Sequence, residues 1–239
     1  AEIEEALRRR DADAQQQRRD ALIDKAQALR TNLESMDYIA ENTSTRAELE
    51  RVEEWSRNVL SAPGFETDSD ARALMEWAQR AMDVFDRTKR TLTETQRLVH
   101  QRRFNDADTE LRATGTISLL LKSEHDDLRK LVSALRRAED CQNHEGWDQA
   151  LKEYRRALEL EPGLDATLET DLGRCYQRLC RSISAAVEAS LDRMPPDIAA
   201  ARAALSQAEK EDWIVPSVSI DYERLRKWVA GYEGVARAA

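Results

Sequence analysis

The stretch Leu74-Met75-Glu76-Trp77-Ala78-Gln79-Arg80-Ala81-Met82-Asp83-Val84-Phe85 runs on without glycine or proline through Thr88 and Leu92 to Val99. Its apolar positions Leu74, Trp77 or Ala78, Ala81, Phe85, Thr88, Leu92 and Val99 keep close to a 3.5-residue step, with charged residues between them. That spacing lines one face of a helix, so it predicts a long packing helix reaching toward Arg102. Aromatic and methionine side chains at helical spacing are core material rather than a cofactor box.

Outward from this helix, the residues that break helices are scarce. The 239 residues include 7 Gly and 5 Pro, while 35% are charged and 5% aromatic. Typical usage is about 7% glycine and about 5% proline, so turns are few and stacked sheets, barrels and doubly wound folds are excluded in favour of an elongated all-α chain. The net charge of -9 disfavours nonspecific duplex binding, which needs a basic surface to displace counterions. The apolar run Ile117 to Leu121 falls far short of the roughly 20 residues that span a bilayer. Cys141, Cys175 and Cys180 include no CxxC pair, which points to a reduced, cytoplasmic setting without a disulfide framework or zinc knuckle. The chain opens inside a charged helix at Ala1-Glu2-Ile3 and reads as a piece of something longer.

Ile3, Leu7, Ala14, Leu22, Ala26, Leu29, Leu33 and Met36 predict one helix from Ile3 through Ile39, about 54 Å long at 1.5 Å per residue. Between Arg8 and Arg19 it has almost no large apolar side chain, so this half projects into solvent, docks on a partner or pairs with a second copy. Asn42-Thr43-Ser44-Thr45 breaks the helix, and Thr45 with Glu48 has capping-box spacing for a second helix running to about Leu60. Pro63-Gly64 ends it, and Thr67-Asp68-Ser69-Asp70 supplies the next N-cap.

Downstream a bulky-small-bulky signature recurs in Phe104-x-x-Ala107-x-x-x-Leu111, Trp147-x-x-Ala150-x-x-x-Tyr154-x-x-Ala157 and Ile198-x-x-Ala201-x-x-x-Leu205-x-x-Ala208. Small residues on such a face let a neighbouring helix approach, and each signature follows a helix and a short break, so the unit is a helical hairpin. Separations of 43 and 51 residues make the repeat irregular. The division expected is a helical arm and bundle over 1–87 and a hairpin domain with a capping helix over 88–239.

The central hairpin resembles a tetratricopeptide repeat (TPR) at Ala134, Ala138, Trp147, Ala150, Tyr154, Ala157 and Pro162, and a partial next unit reads Leu172-Gly173-x-x-Tyr176 with one extra residue in its spacing. Arg137 and Cys141 depart from the pattern, where a large aliphatic and an aromatic residue are usual. The resemblance covers about 124–190. It implies a concave face on the first helix of each hairpin, at Glu139, Gln142 and Asn143 and then at Arg174, Gln177 and Arg178, taking an extended peptide or a helix of a partner protein. More weakly, Glu2-Ile3-Glu4-Glu5 and Arg18-Arg19-Asp20-Ala21-Leu22-Ile23-Asp24 resemble the helical lid of Hsp70-family chaperones. That likeness implies the C-terminal accessory region of such a chaperone as the alternative reading.

Catalytic patterns are missing: there is no GxGxxG, P-loop, HExxH or GxSxG. His100, His125 and His144 are the only histidines, none with Glu three residues before it, and Cys141 with His144 gives two metal ligands where a zinc site needs three or four. The acids of Glu124-His125-Asp126-Asp127 open a helix and complement its dipole. No catalytic residue, cofactor or metal is expected, and neither a nucleic acid nor a membrane as partner. Trp213-Ile214-Val215-Pro216-Ser217-Val218 is the one β-rich apolar stretch, and it reads as a cap on the last hairpin's hydrophobic edge or, where exposed, a partner site. The expected function is that of a non-enzymatic helical scaffold.

Overall fold

The structure is a computed structural model that describes residues 2–35 and 45–238. The expected break at Asn42-Thr43-Ser44 lies outside these residues, as do Met36, Ile39 and the side chain of Thr45. The fold is all-α, with no strand among the described residues. In chain order the helices are α1 (Glu2–Glu34), α2 (Thr45–Leu60), α3 (Ser69–His100), α4 (Phe104–Ala113), α5 (Lys122–Asn143), α6 (Trp147–Leu160), α7 (Asp165–Leu191), α8 (Ile198–Lys210) and α9 (Ser219–Ala238). They fall into two compact units, Ala1–Arg97 with Asp106–Arg129, and Leu98–Asn105 with Lys130–Ala239. A boundary between 87 and 88 lies inside α3, which nothing in its sequence interrupts.

In the first unit, Ile23 and Ala26 of α1, Val52 and Val59 of α2, and Ala71, Leu74 and Ala78 of α3 make one core, edged by Leu29, Trp55 and Trp77. The α3 seam is a heptad: Ala71, Leu74, Ala78, Phe85, Thr88, Leu92 and Thr95 are buried at three- and four-residue steps, with one full seven-residue step from Ala78 to Phe85. Thr88 holds a seam position because its hydroxyl is used twice, donating to the Val84 carbonyl at 2.8 Å and accepting from the Ser118 amide at 3.1 Å. The seam thereby anchors the link that follows α4.

The helix α1 divides in function along its length. Residues 3–18 are exposed throughout, and packing begins at Arg19. There the guanidinium reaches Asp68 and Asp70, each at 2.8 Å, and Asp20 at 2.9 Å. Asp68 has a second task, since its other carboxylate oxygen accepts the Ala71 amide at 2.9 Å and caps α3.

The second unit is organised by α7, which packs against α6, α8 and α9. Its buried residues Leu168, Asp171, Cys175, Leu179, Ile183 and Val187 step mostly by four and hold a single stripe. Facing helices bring the small residues of the recurring signature, with Ala150, Ala157, Ala201 and Ala208 fully buried. Three helices in the chain end alike: Arg102, Glu145 and Asp212 adopt φ near 60°, and the next amide returns to the carbonyl five residues back, in Arg103 to Leu98, Gly146 to Cys141 and Trp213 to Ala208. This is a Schellman stop, and a side chain at its left-handed position costs about 1 kcal/mol.

Candidate functional site: the polar core and groove of the second unit

The hairpin α5–α6 and the helix α7 carry the residues that the sequence marks for partner binding. Glu139 and Gln142 lie on the part of α5 that belongs to the second unit, and both turn toward α7. Gln142 Nε2 donates to the Asp171 carbonyl at 3.5 Å and to Cys175 Sγ at 3.4 Å, so its amide serves an interhelix contact. Glu139 is half-buried, and its carboxyl is pushed above the usual range by burial and by the charges of Asp140 and Asp171, with Arg102 and Arg136 opposing. Asn143, Arg174 and Gln177 are exposed. Arg178, also exposed, sets its guanidinium over the Trp147 ring, 5.5 Å from the centroid.

At the centre of this cluster is Asp171, whose side chain is 2% exposed and pairs with Arg102, itself 42% exposed. The left-handed backbone at Arg102 sends this side chain to the buried carboxylate, a connection between residues 69 apart in sequence. Nearby, burial raises the Cys175 thiol and the Tyr154 phenol, the latter with the Asp171 charge as its second cause. A thiol and a phenol held protonated are poor nucleophiles.

Cys141 and His144, the pair weighed as metal ligands, do not converge with further donors. The His144 Nδ1 donates to the Asp140 carbonyl at 2.7 Å, and among the described residues no group of three or more His, Cys, Asp or Glu could hold a metal ion. His125 is 3% exposed, with Nε2 lacking a hydrogen-bond partner among the described residues.

A different face of α7 opens onto a groove of about 670 Å³, closed on its other side by Val215, Pro216 and Ser217. Its apolar floor is Leu172, Gly173 and Tyr176, and Asp165 with Glu169 stands at one end. The Arg155 guanidinium lies 5.8 Å from the Tyr176 ring centroid and donates to its hydroxyl at 3.3 Å. Arg155 is itself anchored on the carbonyls of Glu211 and Asp212 at 3.2 and 2.5 Å. The strip from Trp213 to Val218 divides its labour: Trp213 and Val218 are buried beneath, while Pro216 and Ser217 face outward.

Gly173 is the unusual member. A glycine inside a helix costs about 1 kcal/mol relative to alanine, yet a Cβ built there meets nothing within 4 Å. Internal packing therefore does not demand it. In the sequence, Leu172-Gly173-x-x-Tyr176 and Val215-Pro216 stand as separate features. Only the tertiary fold places them across a groove.

The chain was compared with protein-family models, with curated proteins and with solved structures, and none of the three comparisons gives a match.

Proposed function

We propose that this chain is a non-enzymatic helical scaffold that works by binding another protein, with the second unit as its binding module. The observation that carries the reading is the groove over α7, an apolar floor of Leu172, Gly173 and Tyr176 that the fold leaves uncovered. Concave, mostly apolar clefts with a few polar groups are where proteins take ligands, and recognition of a peptide reuses helix faces of this kind. Beside it, the Asp171 carboxylate pairs with Arg102 and the Cys175 thiol accepts from Gln142, which favours holding over chemistry.

Selection of displayed random peptides on the folded chain tests this reading. Bound peptides, titrated into isotope-labelled protein, are expected to shift the resonances of Leu172, Tyr176 and Val215. Failure to select any peptide from a correctly folded chain would sink the proposal. A triple alanine variant at Gln142, Gln177 and Arg178 separates the two faces of α7: undiminished binding assigns it to the groove, and lost binding assigns it to the face marked by the repeat resemblance.

A further inference from the structure

Building on that binding role, we infer that the groove over α7 takes a segment of another protein that sets a lysine or arginine beside an apolar side chain. The argument combines shape, space and charge. The floor of Leu172 and Tyr176, faced by Val215 and Pro216, is the place for an apolar group. At Gly173 the missing side chain leaves open room above the helix backbone, so an incoming chain can approach α7 more closely than any other residue would permit.

Charge fixes the second half of the ligand. Asp165 and Glu169 are four residues apart on one face of α7, both exposed, and neither makes an ion pair with a described residue. Two half-buried acids of the same unit do have cations of their own, Asp148 with Lys152 at 2.9 Å and Asp197 with Arg193 at 3.3 Å. The guanidinium behind Tyr176, that of Arg155, is occupied by the Glu211 and Asp212 carbonyls and does not neutralise the acidic end. A ligand cation thus completes a pair that the fold leaves half-made. A second copy of this chain is a poor occupant, because two molecules of net charge -9 repel.

The test is fluorescence polarisation of the whole chain with labelled short-peptide pools of randomised flanks, their fixed centres being Lys-Leu, Glu-Leu or Lys-Ser. The Lys-Leu pool is expected to bind about tenfold or more tighter than either other pool, and to weaken as salt is raised. Glu169→Lys and Gly173→Leu should each weaken it about tenfold. Gly173→Ala, which suits a helix better than glycine, serves as the variant certain to fold and should weaken it about two- to threefold with an undiminished melting temperature. Equal or tighter binding of the Glu-Leu pool overturns the charge assignment, and binding of Lys-Leu that survives Gly173→Leu overturns the location. In both cases a peptide still binds, so the scaffold reading stands while this inference falls. If no pool binds and peptide selection also yields nothing, both fall together.

Discussion

Two carboxylates, Asp68 in the first unit and Glu139 in the second, are treated in opposite ways. In the first, Asp68 has everything a carboxylate wants: Arg19 at 2.8 Å and the Ala71 amide at 2.9 Å, so its pKa is held below the usual range, with the Arg19 hydrogen bond the largest cause. In the second, Glu139 sits half-buried beside Asp140 and the enclosed Asp171, and its pKa is driven up, burial being the largest cause. The first arrangement stabilises the ionised form and ties helices together. The second concentrates negative charge and depends on Arg102 to compensate it.

Removing that compensation gives the largest expected effect. Arg102→Ala leaves the Asp171 carboxylate buried without a countercharge, and a loss of about 3 kcal/mol in urea unfolding is expected. Adding Asp171→Asn to that variant should recover part of the loss, whereas a single-variant loss below about 1 kcal/mol would show that Asp171 is not held by this pair.

Asp68→Ala comes next. It deletes the cap and the Arg19 clamp at once, for about 2 kcal/mol, while Asp68→Asn keeps a capping oxygen and should lose about half as much. The pH dependence follows from the depressed pKa: this stability is present above the ordinary aspartate value and is lost as pH falls through the lower folded-state value. Asp68→Asn should therefore converge with the parent chain in strong acid, and a constant difference at all pH values would contradict the assignment.

The smallest effect has the reverse sign. A raised pKa at Glu139 means that its contribution is fully present below the ordinary glutamate value and is lost as pH rises through the folded-state value. Glu139→Gln should gain about 0.5 kcal/mol near neutral pH and flatten the unfolding curve on the acid side. No change in that slope would mean that Glu139 is already relieved by its neighbours.

How much of this the amino-acid sequence discloses depends on how far apart the partners are. Spacing alone marked Ala107, Leu111, Ala150, Tyr154, Ala201 and Leu205 as faces, and all are buried. Local chemistry likewise marked Thr67-Asp68-Ser69-Asp70 as the source of a cap, and Asp68 is the residue that serves. Thr95 escaped notice because the pattern passes from Leu92 straight to Val99, although Thr95 is fully buried. Arg102 was legible only as part of a break: an arginine does not advertise a positive φ, and Asp171 is 69 residues away. For the same reason the repeat resemblance could set Glu139 and Gln142 on a face without showing that α7 stands against it.

The unsupported half of α1 carries a dynamic consequence. A free segment the length of residues 3–18 would be marginal as a helix in water, since starting the first turn is unfavourable. Here the start is already made, because the turns beyond Arg19 are packed and each residue toward Glu2 is added by propagation alone. Helicity in the arm is therefore graded instead of all-or-none. Amide protons should exchange fastest near Glu2 and progressively slower toward Arg18, a fraying gradient read along a single helix whose inner end behaves as a template.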